Sequence, residues 1–207
     1  MNADTTTDQV VADLIAFTDP SPRTVERLHR QLEESAERAQ ILDVAYTTID
    51  TPVGTLLLAA TEMGLLRVAF EIEGFDGVVN DLSRRVSPRV LKSPKRLDPA
   101  AFEIDEYFSR RRTAFDLTLD YTLSNGFRLV VQQYLSSIAY GTTESYKQVA
   151  ALVGNPKAVR AVGTACATNP LPIVVPCHRV LRTNGQLGGY LGGLEVKAAL
   201  LRMESAA

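Results

Sequence analysis

Between Gly141 and Gly163 the chain is closely punctuated by helix start and stop signals. Ser145-Tyr146-Lys147-Gln148 has the Ser/Thr-x-x-Glu/Gln form of a capping box, so a helix starts after Ser145. Gly154 sits where a helix C′ residue would end it. Asn155-Pro156 then restarts a helix at once, with Asn as cap and Pro at the first helical position. Two short helices joined by a tight Gly-Asn turn form a helix-turn-helix signature, although many helical hairpins share it. The second helix, about 157–167, consists mainly of small residues, and Arg160 is its one long projection near the middle. That pattern suits close helix–helix packing, and equally a nucleic-acid minor-groove face with one inserted side chain. Upstream, Phe127, Val130, Val131, Tyr134, Leu135 and Ile138 form a helical stripe that Gly141 is expected to stop.

The first half reads differently. Residues 43–49, 54–60 and 65–71 have strand character and are joined by tight turns at Thr51-Pro52-Val53-Gly54 and Met63-Gly64, which implies an antiparallel meander. Residues 76–86 and 99–112 are predicted helical. Phe115, Leu117 and Leu119 alternate with polar partners, so 114–120 is a predicted strand. Ahead of these lie two helical stretches, 8–17 and 22–40, separated by Asp19-Pro20-Ser21-Pro22. Residues 1–41 are therefore an extension, 42–121 a first domain, and 122–207 a second. The fold class is α+β.

The chemistry-bearing feature is Pro176-Cys177-His178-Arg179, which follows the apolar run Leu171–Val175. A cysteine attacks as thiolate, and an adjacent imidazole is a standard means of producing one near neutral pH. From adjacency alone, a buried packing cysteine is as open as a nucleophile. The chain holds only two cysteines, Cys166 and Cys177, and two histidines, so this pairing does not reflect a Cys-rich composition. Two cysteines make no disulfide framework, and a bridge between them would consume the nucleophile; a reducing, cytoplasmic setting fits better. His29 stands alone and reads as a helix-surface residue. No metal site is expected, nor any signal peptide or membrane span.

Charge is divided unevenly. Residues 124–207 carry eight Lys/Arg against three Asp/Glu, whereas residues 1–123 carry fourteen against twenty-one. A basic second half suggests a nucleic-acid face there.

Taken together, Ser145-Tyr146, the run Gly154–Gly163, Asn169-Pro170, Ile173–Val180, Gly189–Leu194, Lys197 and Glu204 make the chain resemble the O6-alkylguanine-DNA alkyltransferases, also called methylated-DNA–protein-cysteine methyltransferases. The resemblance is strong over 140–204 and extends from about residue 43. It implies a ribonuclease-H-like α/β domain followed by a helical winged helix-turn-helix domain. It implies a single-turnover, suicidal transfer of the alkyl group from O6-alkylguanine, and from O4-alkylthymine, in double-stranded DNA to Cys177 after base flipping. The protein would use no cofactor, approach the minor groove and be monomeric.

The resemblance also implies roles. His178 takes the thiol proton through a water, Glu204 orients His178, Tyr146 donates a proton to the leaving base, and Asn169 is the hinge between recognition helix and active-site segment. Arg160 fills the space of the flipped nucleotide, with Lys157, Ala158, Ser145 and Thr164 also facing DNA. Val180, Tyr190, Leu191, Gly192 and Lys197 shape the base pocket, where the carbonyls of Cys177 and Val180 accept from the exocyclic amine and the Leu191 N–H approaches O6. Arg179 would pair with an acidic residue of the first domain.

There are departures. The family pattern Phe-Gln followed by Trp is here Phe127-Arg128, with Gln132 near the Trp position, and the chain contains no Trp; these are expected to be scaffold positions. Some relatives hold a structural zinc in the first domain, for which the ligands are lacking here. Two other readings compete: a non-catalytic binder of alkylated DNA, which would lack Cys177, and an alkylation-sensing regulator, which would need further cysteines.

Overall fold

The computed structural model describes residues 21–39 and 41–205. The chain divides into two compact units, Met1–Ile41 and Leu42–Ala207. In the first, α1 (Pro22–Arg38) carries proline at its first position, and Ser21 Oγ accepts from the Thr24 N–H. The expected helix over 8–17 lies outside the described residues. Val25, Leu28 and Leu32 form an apolar stripe on α1 that is about half exposed.

The second unit opens with β1 (Val44–Thr51), β2 (Gly54–Thr61) and β3 (Gly64–Phe70), an antiparallel meander as the turn residues predict. A short β4 (Val90–Lys92) joins the other side of β1 in parallel, giving the order β3-β2-β1-β4. The central strand β2 is buried on both faces, which explains its unbroken apolar run. Leu56, Leu58 and Ala60 face one core; Leu57 and Ala59 face another. The smaller core is closed by α2 (Phe75–Arg85) through Val78 and Leu82. The larger is closed by α3 (Asp98–Phe108) through Ala100, Ile104 and Tyr107, and it continues into the second half of the chain.

Two first-half expectations need correction. The helix predicted over 99–112 ends at Phe108, because Arg110 adopts φ 58°, outside the helical range. Residues 114–120 run extended but form no strand; they pair with β3 only at the isolated bridge Leu65–Leu119. Alternating burial is satisfied there by packing rather than by a ladder. The close approach of this segment depends on Gly64, at φ 133°, where a Cβ would lie 2.3 Å from the Thr118 carbonyl oxygen. Gly64→Ala should therefore destabilise the fold by about 3 kcal/mol, read as a lowered urea midpoint at unchanged slope.

The second half consists of α4 (Gly126–Leu135), β5 (Glu144–Ser145), α5 (Tyr146–Leu152), α6 (Val159–Ala167), β6 (Val180–Leu181) and α7 (Leu194–Ser205). The capping box forms as read: Ser145 Oγ accepts from Gln148 N at 3.2 Å, and Gln148 Oε1 accepts from Ser145 N at 2.7 Å. Gly154 takes φ 79° after α5. The helix expected to restart at Pro156 begins only at Val159, with Ala158 as N-cap. Residues 155–158 form a turn instead, closed by Ala158 N on the Asn155 carbonyl. α4 ends at Leu135, before Gly141 is reached, so Gly141 does not stop it. Gln132 is buried and donates to the Ala165 carbonyl at 3.1 Å, tying α4 to α6 where the family pattern has Trp. β5 and β6 pair in parallel, which brings the capping-box serine beside the segment that carries Cys177.

Candidate active site

The run Leu171–Val180 is buried throughout. Its backbone is shaped by two unusual residues. Ile173 has φ 75°, a strained conformation for a β-branched residue that costs about 1–3 kcal/mol. Pro176, at φ −81° and ψ 62°, makes an inverse γ-turn in which Cys177 N donates to the Val175 carbonyl at 2.8 Å. A single 3₁₀ turn, Cys177–Arg179, follows, and the chain then enters β6. The turn fixes Cys177 and His178 in the interior.

Asn169 lies one residue past the Thr168 C-cap of α6. Its Nδ2 donates to the Val175 carbonyl at 2.8 Å and its Oδ1 accepts from Leu171 N at 3.1 Å. One buried side chain thus joins the end of α6 to both ends of the strained segment. The first half also grips this segment: Val68 N donates to the Pro170 carbonyl at 2.8 Å.

His178 is fully buried, and its Nε2 lies 2.8 Å from Glu204 Oε1 on α7. Its Nδ1 has no hydrogen-bond partner among the described residues. Glu204 also receives Arg179, as a two-point fork: Nε to Oε2 and Nη2 to Oε1, each at 2.9 Å. This corrects the expectation that Arg179 pairs with an acidic residue of the first domain. Arg179 Nη1 is held by the Ile138 carbonyl, and its guanidinium lies over the Tyr140 ring. Gly141, at φ 72°, gives its N–H to Glu204 Oε2 at 3.3 Å. A Cβ there would come within 3.2 Å of the Glu204 carbonyl oxygen, so this glycine seats α7. The first half supplies a contact that the sequence did not reveal: Tyr107 Oη donates to Glu204 Oε1 at 2.6 Å.

These contacts set the charges. Burial alone would raise the Glu204 carboxyl, but the hydrogen bonds from His178 and Arg179 outweigh it and hold the group well below the usual carboxylate range. Burial pushes His178 below its ordinary value, with Glu204 partly opposing. Burial, with the nearby Arg179 and Lys197 charges, outweighs the pull of the ionised Glu204, so His178 rests as the neutral imidazole. With Nε2–H donated to Glu204, the Nδ1 lone pair is the basic one. Burial raises the Cys177 thiol to about 11, with Asn169 and then Lys197 opposing. The resting pair is therefore thiol and imidazole rather than thiolate and imidazolium.

Of the other residues expected at the pocket, Lys197, Tyr146 and Tyr190 lie near enough to Cys177 to bear on its charge. Lys197 is fully buried, donates to the Val180 carbonyl at 2.7 Å, and sits over the Tyr146 ring. One lone pair of that carbonyl is thus already engaged. Burial lifts the Tyr146 phenol to about 12, so it stays protonated. Gly188 packs on it so closely that a Cβ would lie 2.2 Å from the hydroxyl. Tyr190 meets Phe70 edge-on, and a Cβ on Gly192 would lie 2.8 Å from the same Phe70 ring. Leu191 is half-buried in the same loop. Lys157, Arg160 and Thr164 are exposed on and just before α6, with Ala158 and Ser145 partly exposed near them. Cys166, on the inner face of α6, is a second buried thiol, and neither cysteine is bridged.

Comparison with known proteins bears on this arrangement. Residues 126–206 match the family model described as 6-O-methylguanine DNA methyltransferase, DNA binding domain, and residues 44–121 match that family's ribonuclease-like domain. The chain is 42% identical over 160 residues to the constitutive methylated-DNA–protein-cysteine methyltransferase of Bacillus subtilis, covering 77% of this chain and 94% of that one. It is 36% identical over 159 residues to the methylated-DNA–protein-cysteine methyltransferase of Methanosarcina barkeri, covering 77% and 96%. The solved structure of Mycobacterium tuberculosis OGT in complex with DNA aligns with TM-score 0.66 at 35% identity, covering 78% of this chain and 93% of that one.

Proposed function

The chain belongs to the 6-O-methylguanine DNA methyltransferase family, and from that premise we propose how its own residues carry the reaction. It is a methylated-DNA–protein-cysteine methyltransferase that repairs DNA by moving an alkyl group onto a cysteine of its own. Cys177 is that cysteine. The observation that supports this reading best is the buried His178–Glu204 pair directly beside it, with His178 Nδ1 left basic.

In the step we infer, Cys177 sulfur attacks the O6-alkyl carbon in line. The S–C bond forms, the C–O6 bond breaks, and its electron pair stays on the guanine. His178 Nδ1 takes the thiol proton, through one water, while Glu204 stabilises the imidazolium. Tyr146 gives its phenolic proton to the guanine anion and is reprotonated through solvent as the His178 imidazolium releases the proton taken from Cys177, so both side chains end neutral. Asn169 couples recognition helix to active-site segment. Val180, Tyr190, Leu191, Gly192 and Lys197 line the base pocket. The product is S-alkylcysteine, so each molecule reacts once.

The target base must leave the duplex stack to reach a cysteine so deeply buried, at a cost of about a few kcal/mol. Arg160 projects from the exposed face of α6 and fills the vacated position from the minor groove. The α6 N-terminus has no side-chain cap, which leaves its N–H groups for a phosphate, with Lys157, Ala158, Ser145 and Thr164 nearby. Residues 42–121 and 122–207 are taken as the two working domains, acting as a monomer. No described helix is long and apolar enough to cross a membrane, and the two unbridged cysteines suit a reducing cytoplasm.

The test is intact mass after mixing with a duplex carrying one O6-methylguanine. A gain of one methylene on Cys177 that stops at one equivalent supports the reading; binding with no gain favours damage recognition alone. Arg160→Ala should slow repair of duplex about tenfold or more while leaving reaction with free O6-benzylguanine within a factor of about two. Equal losses on both substrates would remove the base-flipping role.

A further inference from the structure

We propose that Tyr107, on α3 of the ribonuclease-like domain, is a positioning residue for alkyl transfer: its hydroxyl fixes the Glu204 carboxylate against His178 and tempers that carboxylate's pull on the imidazole. The proposal rests on the reading that His178 takes the Cys177 proton.

Tyr107 is fully buried, and its hydroxyl reaches Glu204 Oε1 at 2.6 Å across 97 residues of sequence. That oxygen is shared with His178 Nε2 at 2.8 Å and Arg179 Nη2 at 2.9 Å. The ring is boxed in by Phe108, Phe115 and Tyr140, so the hydroxyl has little freedom to point elsewhere. A phenylalanine would fill the same aromatic box, so packing alone does not require the hydroxyl. Burial also holds the phenol far above its ordinary value, which makes it a permanent donor.

Three donors on one oxygen compete for its charge. Removing one leaves more negative charge facing His178 and strengthens the hold on the imidazolium. It also frees the carboxylate to turn about the Arg179 fork. The charged groups that bear on His178 are Glu204, Arg179 and Lys197, with Cys177 next in the chain and the Tyr190 ring against it; those on Glu204 are His178, Arg179, Tyr107, Tyr140 and Tyr190. Among the described residues, Tyr107 is the one direct donor to Glu204 that comes from the first domain.

The experiment uses the full chain and two variants, Tyr107→Phe and Glu204→Gln. Methyl-transfer rates on an O6-methylguanine duplex are followed from about pH 5 to about pH 9, with the ring ¹⁵N shifts of His178 recorded alongside. Tyr107→Phe should transfer about tenfold more slowly, with the acid limb of the rate profile and the ¹⁵N titration both displaced to higher pH. A slower variant whose His178 titration is unmoved would make Tyr107 merely structural, and an unchanged rate would also overturn the proposal. Glu204→Gln separates the premise from the proposal. If it is impaired while Tyr107→Phe behaves as wild type, only the role of Tyr107 falls. If Glu204→Gln itself reacts like wild type, the His178–Glu204 relay falls and the proposal with it.

Discussion

Cys177→Ala is expected to abolish methyl transfer completely: its mass stays unchanged after prolonged incubation with an O6-methylguanine duplex that converts the wild type in one turnover. No other residue can substitute. The second thiol, Cys166, is buried on α6, and burial raises it far beyond the ordinary cysteine range. The groups expected to hold DNA, Arg160, Thr164 and the open N-terminus of α6 with Lys157 just before it, are exposed, so duplex affinity should remain within about a factor of three. The variant loses one sulfur from a close-packed site, so it should be only about 1 kcal/mol less stable. Mass spectrometry with peptide mapping and a binding titration read both results. Methyl found on any residue of the variant would remove Cys177 from its role. Loss of affinity in parallel with transfer would mean that the segment, rather than the sulfur, had failed.

Much of the architecture was legible because the signals were local. The capping box at Ser145–Gln148 specifies a helix start through contacts spanning three residues, and it forms as read. Tight turns at Gly54 and Gly64 likewise specify the meander. The pairing of His178 with Glu204 followed from the family pattern rather than from spacing, and it too is present. The misreadings share one cause. Asn155-Pro156 has the local form of a helix start, but the turn closed by Ala158 N consumes those residues first. Gly141 looks like a helix stop because glycine commonly is one; its conformation is instead set by the approach of α7. Arg179 was assigned a partner across the domains, yet its fork closes on Glu204 within its own half, and the cross-domain contact to that carboxylate comes from Tyr107. No periodicity or spacing signals a tyrosine that meets a glutamate 97 residues later. Such contacts are selected by packing, and the sequence shows only that Tyr107 lies in a predicted helix.

Glu204 is where folding and chemistry depend on the same atoms, so replacing it should damage both. Glu204→Ala removes the acceptor of His178, Tyr107, Gly141 and both contacts of the Arg179 fork. Arg179 remains buried and charged with only the Ile138 carbonyl and the Tyr140 face beside it. Breaking one side of such a pair costs about 3–5 kcal/mol, more than the lost methylenes would. Glu204→Gln keeps the shape and some acceptors but not the charge, so it should fall between Ala and wild type. The sign of the pH effect follows from the direction of the shift. The Glu204 carboxyl is lower in the folded chain than its ordinary 4.5 when unfolded, so its ionised form stabilises the fold above that value. That contribution is lost as pH falls below about 4.5 toward the folded value. Wild-type stability, measured by urea unfolding, should therefore fall more steeply with acid than that of Glu204→Ala, and the two curves should converge at low pH. Parallel curves would show that the ionised carboxylate is not what holds Arg179, His178 and Tyr107 together. Transfer by Glu204→Ala should drop by about a hundredfold or more, because His178 loses both its orientation and the charge that stabilises its protonated form. A variant that lost stability but kept its rate would separate the two roles and leave Glu204 as a structural counter-ion alone.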